Sequence, residues 1–556
     1  LPLRTFLFKI IKMKNQKLVS FAIAMACATP SFAGGLLTNT NQNVAFNRMM
    51  SREASIGIDG VYYNPAGVVF MGEGHHLSLN WQLAYQTRSI ENGYALFTNN
   101  VNNSTTPRYI KGKAFAPVIP SLQYAYNKGK WSFQANFALT GGGGKCTFDD
   151  GLGSFEKIVA ETAIAACGLA RTVDGTLGNA IGQPNLEMFS SEKAFGKDGK
   201  YSYDSYMHGR QYYYGLSIGA AYKVSNNFSA FAGIRTVYAS CNYYGYVENI
   251  KVGSMPLYQV LDPTKPEAGN IELSCDQQGL GFTPIIGVDF KTGRWNFSAK
   301  YEFKTRMRLK NKSVNLAPSI GGLADNLSKS MISTLTGQFT QAGLSQEQAQ
   351  VKAGEITQGV LSNQTVVATM QGLKTQFDTK LEEAIGEYED GKKIAGDIPA
   401  YLTLGAGFRP VDAVRINVGF HWFDDLNATS YKKRNKKLDH GTLEYNAGVE
   451  VDVNKKITLS TGWQSTNYGL PKEEKDTEDS KRYMDDKSFV TSSNSVAVGG
   501  VYHLNKKMDL NVAYFHTFYS HKKTEQNVSL GTNDIVYSSD YTRNNNVFAV
   551  GLDINF

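Results

Sequence analysis

Four cysteines stand beyond residue 33: Cys146, Cys167, Cys241 and Cys275. An even number in an exported chain suggests disulfides, and four cysteines allow three pairings. Cys146 with Cys167 and Cys241 with Cys275 are favoured, because each pair brackets one expected external loop. Each such closure would contribute about 3 kcal/mol; the alternative is four free thiols. The histidines are scattered, and the adjacent pair His75-His76 would suit a metal or haem only with further ligands. No HExxH or CxxC spacing is present, so His75 and His76 read as interface residues at the start of a first strand. Gly141 to Lys145 lacks the spacing and following hydroxyl of a phosphate-binding loop. A hydrolytic Ser/His/acid set would need a nucleophile motif, and the sequence has none. The expectation is a protein that is not an enzyme and carries no metal or cofactor.

Two further groups matter for backbone shape. Asn64-Pro65-Ala66, with Gly60 and Gly67 nearby, is a turn signal. Gly141, Gly142, Gly143 and Gly144 would weaken a strand and permit a bulge, or else form a flexible loop entrance.

The elements that must hold these residues are strands. Leu77, Leu79, Trp81, Leu83 and Tyr85 alternate with Ser78, Asn80, Gln82, Ala84 and Gln86. Trp295, Phe297, Ala299, Tyr301 and Phe303 alternate with Asn296, Ser298, Lys300 and Glu302, and the same period of two recurs over Leu443–Val453. Alternate side chains of a strand face opposite sides, so one face is apolar and the other polar or charged. Short turns at Asn127–Lys130, Ser225–Asn227, Lys291–Arg294, Pro410–Ala413, Asn454–Lys455 and Asn505–Lys507 alternate with long loops near 89–117, 141–209, 241–280, 305–398, 424–440, 465–492 and 519–543. Six turns and seven loops require fourteen strands, the layout of bacterial outer-membrane barrels. Trp131, Trp295, Trp422 and Trp463 fall beside turns or loops, as girdle aromatics do. No run after residue 33 has the roughly 18 apolar residues of a membrane helix. Aromatics at 12% with a mean hydropathy of −0.31 fit an apolar outer face around a polar bore. Ser345 to Gly386 is rich in Gln, Glu, Ala and Lys, with Ser345 and Gln348 at capping-box spacing, so helices are expected in that loop.

The expected fold is an all-β transmembrane barrel of about fourteen antiparallel strands, with an N-terminal plug and some helix in long external loops. Residues 1–33 read as leader and signal peptide. Met13-Lys14-Asn15-Gln16-Lys17 is the basic region, Leu18 to Ala28 the apolar run, and Ser31-Phe32-Ala33 the cleavage site. Residues 1–12 are expected to precede the start at Met13. Residues 34–74 form the plug and 75–556 the barrel. The formal charge is +8, but Arg4, Lys9, Lys12, Lys14 and Lys17 lie in the leader without an acid. The small remaining excess gives no footprint for nucleic acid.

In this setting the segment before the first strand resembles the N-terminal hatch of the FadL/TodX family of outer-membrane transporters for hydrophobic compounds. Members carry an Asn-Pro-Ala motif shortly before that strand, matched here by Asn64, Pro65 and Ala66. The fourteen-strand count, the hatch length and the final Phe556 also match, so the resemblance covers the mature chain in layout. Gly141–Gly144 is similar to the family's glycine-rich third strand, where a kink opens the wall. The resemblance implies capture of a fatty-acid-like or aromatic molecule in the barrel, hatch rearrangement and lateral release into the membrane. It also implies a cell outer membrane of the Gram-negative type. The partners expected are a hydrophobic ligand, outer-membrane lipid and the barrel-assembly machinery acting through the C-terminal strand, with the protein a monomer. Leu36, Leu37, Phe46, Val61 and Tyr62 of the hatch, and Phe148, Leu152 and Phe155 after the third strand, could line the passage; the alternative is that they pack the plug against the wall. The competing readings are a polar-solute porin and a haem-binding surface receptor.

Overall fold

The computed structural model describes residues 36–318, 320–385, 387–430, 435–472, 484–530 and 533–556. The expected leader, 1–33, lies outside them, as do parts of the loops near 424–440, 465–492 and 519–543.

Among the described residues, fourteen long strands form one closed antiparallel wall. They are β1 Gly74–Gly93, β2 Arg108–Lys128, β3 Trp131–Phe148, β4 Tyr201–Lys223, β5 Phe228–Val252, β6 Ile271–Thr292 and β7 Trp295–Glu302. The second half is β8 Tyr401–Phe408, β9 Val414–Phe423, β10 Leu443–Asn454, β11 Ile457–Asn467, β12 Ser493–Asn505, β13 Met508–Tyr519 and β14 Asn533–Asn555. Each pairs with its neighbours in sequence, and β1 closes the ring on β14 from His76 opposite Asn555 to Gly93 opposite Ser538. Closure leaves no unpaired edge, a condition that a bilayer imposes because it offers backbone groups no water.

The alternation is borne out in its outward sense. Leu79, Trp81 and Tyr85 are exposed, while Ser78, Asn80 and Gln82 between them are buried toward the bore. Exposed Phe133, Leu216, Ile218, Phe282, Val418, Val498 and Phe548 continue the apolar outer belt. A soluble sheet would hide that face. Here it is the surface, and no helix among the described residues is long and apolar enough to cross a membrane.

The strands run further past the long-loop rim than the sequence pattern suggests. β3 extends to Phe148 and β5 to Val252, because their ladders stay paired with β4 and β6. Twenty-five residues in β5 reach about 80 Å, far more than a hydrophobic core of about 30 Å requires. Four shorter strands, Met255–Pro256, Arg308–Leu316, Lys393–Ala395 and Lys522–Leu530, add to this raised rim.

Helices cap the same end. α3, Gly153–Ile181, lies in the loop after β3, and α4, Leu257–Leu261, after β5. α5 Leu323–Gln341, α6 Gln346–Leu361 and α7 Gln364–Ile385 lie in the loop between β7 and β8. The expected capping box is formed: Gln348 N–H donates to Ser345 Oγ, and Ser345 N–H donates to Gln348 Oε1, both at 3.3 Å.

The bore is filled from within. Residues 36–73 enter it as bends, a first helix α1 (Val44–Met49), a single turn α2 (Gly60–Tyr63) and a 3-10 turn at Gly67–Phe70. Asn43 caps α1 by accepting Ala45 N–H at 2.7 Å. Almost every residue from Thr38 to Val69 is buried, the charged ones included.

Candidate functional site

Polar residues facing the bore receive the plug, and their positions follow from the strand period. Ser78 and Asn80 of β1 and Gln123 of β2 meet its first part. Asn43 donates to Ser78 Oγ at 3.0 Å and to Gln123 Oε1 at 2.9 Å, and Val44 N–H donates to Asn80 Oδ1 at 3.0 Å. The next part meets charge. Glu450 of β10 accepts from Arg48, from Arg52 at 3.0 Å and from Arg415 of β9 at 3.2 Å, while Arg52 also pairs with Asp59 at 2.7 Å. Burial works against the Arg52 charge, but Asp59 and Glu450 more than offset it and hold its pKa above the ordinary value. Glu53 Oε1 lies 2.7 Å from His421 Nε2 of β9, and His421 Nδ1 lies 2.7 Å from Glu444 Oε2 of β10. Burial alone would raise the Glu53 carboxyl; the charge and hydrogen bond of His421 outweigh it and hold that group below the usual carboxylate range. Lys300 Nζ donates to Tyr62 O at 2.7 Å and to Glu302 at 2.8 Å, and Glu302 also takes a two-pronged bond from Arg235.

The Asn-Pro-Ala turn is held one residue per strand. Asn64 donates to Asp289 Oδ2 of β6 at 2.6 Å, Gln134 of β3 donates to Pro65 O at 2.7 Å, and Ser229 of β5 donates to Ala66 O at 2.7 Å. Asn64 Oδ1 also accepts Gly67 N–H at 3.2 Å, which closes the turn on itself. Buried hydrogen-bonded groups of this kind fix one arrangement, because a lost partner leaves a desolvated charge or amide behind.

The four glycines mark a defect in the wall. The β2–β3 ladder runs from Lys128 opposite Trp131 to Ser121 opposite Ala138, stops, and resumes at Phe115 opposite Lys145. On the other side, the β3–β4 ladder shifts between Leu139 and Gly141 and again between Gly142 and Lys145. Pro117 and Pro120 lie in the part of β2 that does not pair with β3, where neither has a donor to offer that strand, although Pro120 still stands opposite Trp81 of β1. Gly142 and Gly144 adopt φ of 68° and 61°. A Cβ on Gly142 would stand 2.5 Å from Gln211 O, so glycine is required there.

The start of the plug patches this defect. Thr38 bridges Gly141, Gly142 N–H donates to Leu37 O at 3.3 Å, and Asn39 N–H donates to Thr140 O at 3.0 Å. The Asn39 amide donates to Gly142 O at 2.7 Å and Leu139 O at 3.2 Å, and Gln42 adds a bond to Leu139 O at 3.0 Å. Backbone carbonyls that β2 does not reach are thus satisfied from inside the barrel.

The apolar candidates divide into two groups. Phe46, Tyr62 and Tyr63 of the plug pack with Ala116 and Ile119 of β2 and Leu139 of β3, on the inner side of the defect. Phe46 stacks on Tyr63 at 5.1 Å between ring centroids. Phe148, Leu152 and Phe155 lie elsewhere, in the apolar core under α3. Leu37 packs against that upper core, Val61 packs with Ile58, Val68 and Ala125 lower down, and Leu36 is half-buried at the plug entrance. Apart from Leu36, the candidates therefore fall in separate apolar clusters at different heights of the barrel.

An apolar cleft that sequence reasoning missed lies between the cap helices. Leu169 and Val173 of α3, Leu261 of α4, Leu327 of α5 and Leu373 of α7 enclose about 50 Å³ with Phe189 and Phe195. Its lining comes from three loops far apart in sequence, so only a helical stripe in each could have hinted at it. At the short-turn end a polar recess of about 830 Å³ reaches Arg52, Asp59 and Glu450 beneath the plug.

The cysteine expectation is corrected. Cys146, Cys167, Cys241 and Cys275 are free and buried. Cys241 stands opposite Gln277 and Cys275 opposite Tyr243, so the two are diagonal neighbours, about 7 Å apart where a disulfide needs Cβ atoms near 3.8 Å. Cys167 lies inside α3 with its thiol 3.2 Å from Phe195 O, not across the loop from Cys146. Among the described residues no group of His, Cys, Asp or Glu could hold a metal. His75 and His76 bond Tyr124 and Asn555 instead.

A Pseudomonas aeruginosa FadL homologue superposes at a TM-score of 0.56, with 13% identity over 94% of this chain and 100% of that one. The chain has the FadL-type fold. The toluene transporters TodX of P. putida and TbuX of Ralstonia pickettii are similar at TM-scores of 0.44 and 0.43, each with 14% identity over 90% of this chain and 94% of theirs. No family profile matches the chain, and no characterised protein matches it by sequence. The FadL-type barrel therefore stands on shape, strand count and the plugged bore.

Proposed function

We propose that this chain carries hydrophobic molecules across an outer membrane, taking them in among the cap helices and releasing them sideways through the wall at β3. The observation that carries the reading is the break between Ser121/Ala138 and Phe115/Lys145, filled from inside by Leu37, Thr38 and Asn39 and backed by apolar side chains. A hole in hydrogen bonding is costly facing lipid and is kept only where something else fills it. Withdrawal of the plug's first residues would leave an opening lined by Ala116, Ile119 and Leu139 at the level of the lipid-facing belt.

The FadL-type fold agrees with a hydrophobic cargo, which is what the resemblance of the Asn64-Pro65-Ala66 hatch to that family implies. The cap cleft agrees with it, since its lining is almost wholly apolar. At about 50 Å³ it is smaller than the roughly 150 Å³ that holds a benzene ring, so the cap helices must part to admit one. Each CH₂ then buried contributes about 0.8 kcal/mol. In this placement the long-loop end faces outward and the short turns face the periplasm. Residues 1–33 direct export.

A polar-solute porin is the competing reading, and the polar recess under the plug favours it locally. Bilayer conductance separates the two. The transporter reading expects the intact barrel to be closed to ions and cells expressing it to accumulate an aromatic hydrocarbon faster. A large steady ohmic current from the intact protein overturns it.

A further inference from the structure

The six short turns share a feature that transport does not use. The β2–β3 turn carries Lys128 and Lys130; the β4–β5 turn carries Lys223; and the β6–β7 turn carries Lys291 and Arg294. Arg409 follows β8, the β10–β11 turn has Lys455 and Lys456, and the β12–β13 turn has Lys506 and Lys507. Every short turn therefore has a cation within it or at the strand end that enters it, and the acid among the turn residues is Asp412, 3.2 Å from Arg294. Glu73 stands nearby and accepts Gly129 N–H. Lys455, Lys456, Lys506 and Lys507 are exposed and have no ion-pair partner among the described residues.

Just above the turns the outer wall is aromatic. Trp131 packs on Tyr222 at 4.7 Å, Trp295 stacks on Phe408 at 4.3 Å, and both tryptophans are exposed. Exposed aromatics of this kind rest at the headgroup level of a bilayer. The cations one or two residues further on then lie in the phosphate layer, within the screening length of about 8 Å.

We propose that this ring binds anionic phospholipid headgroups in the leaflet facing the short turns and gathers them around the barrel. The inference rests on the membrane placement given above. An acidic protein would need a continuous surface, whereas these cations are spread over all six turns of a closed rim; Lys291, Arg294, Arg409 and Lys455 border the recess, with Lys291 4.4 Å from the plug's Phe70 ring, while Lys128, Lys130, Lys456, Lys506 and Lys507 are exposed outside its lining. The annulus of lipid is the one partner with that shape.

Spin-labelled phosphatidylglycerol and phosphatidylcholine, each added to the full barrel in phosphatidylethanolamine bilayers, read the preference directly. The native protein is expected to immobilise phosphatidylglycerol several-fold over phosphatidylcholine, with the preference lost at high salt. The variant K128Q/K130Q/K455Q/K456Q/K506Q/K507Q is expected to lose most of it while keeping the heat-modifiable gel mobility of a folded barrel. Equal immobilisation of the two lipids by the native protein overturns the proposal. So does an unchanged preference in the folded variant. Hydrocarbon uptake is measured in parallel: lost lipid preference with intact uptake is the expected separation, and failed uptake in the native protein counts against transport alone.

Discussion

Glu53 of the plug and His421 of the wall meet at 2.7 Å, both buried, with Glu444 on the far side of the imidazole. One plug residue is thus held by His421 of β9 and, at 3.4 Å, by the amide of Asn446 of β10, and the plug cannot leave this position without exposing or stranding a charge. Removing one partner of a buried pair costs about 3–5 kcal/mol. In Glu53→Ala the barrel should still insert, while amide exchange over residues 44–64 rises and bilayer openings become frequent. Unchanged exchange would show that this pair does not anchor the plug.

The same pair sets a pH dependence. Glu53 titrates below the ordinary carboxylate value of 4.5 in the folded protein, so its contribution is complete above that value and fades as the pH falls through the lower folded one. Plug openings recorded in a planar bilayer should therefore increase as the pH is taken below the ordinary carboxylate value of 4.5. The Glu53→Gln variant should lose most of that acid response.

Gly142 tests the wall defect. With φ at 68° and no room for a Cβ, Gly142→Ala should cost at least about 1–2 kcal/mol of local strain and disturb the bonds to Leu37 and Asn39. Hydrocarbon uptake should fall several-fold in cells with equal folded barrel at the surface. Normal uptake would place the exit elsewhere.

Replacing Asn64-Pro65-Ala66 by Gly-Ser-Gly removes the donor to Asp289 and the rigid turn. Asp289 Oδ2 would keep the Asn296 donor at 2.8 Å but lose the Asn64 one, and a hydrogen bond to a charged group contributes about 1.5–3 kcal/mol. Uptake should drop while insertion persists; unchanged uptake would deny the motif any gating role.

The thiols offer a separate check. Burial raises the Cys167 thiol above its ordinary value of 9.0, and all four described cysteines are free. The folded protein should react slowly with maleimide, and denatured protein should show four reactive thiols in the mature chain without any reductant. Reaction only after reduction would restore the disulfides.

The chain's pattern alone determined the barrel. A period of two is set by the backbone geometry of each strand, so Leu79, Trp81 and Tyr85 share one face in any fold. Turn and loop lengths then set the strand number and the polarity of the two ends. The capping box at Ser345 and Gln348 is likewise local, resting on residues three apart. The turn at Asn64-Pro65-Ala66 could be seen, but not its three anchors, because Gln134, Ser229 and Asp289 lie 69 or more residues away and read as ordinary inward-facing polar positions. Only the tertiary structure could pair Glu53 with His421, place Leu37 against Gly142, and separate Cys241 from Cys275 by one diagonal step. Those outcomes depend on register and on how a plug of fixed length sits in a closed tube, and neither is written in the spacing of residues along one segment.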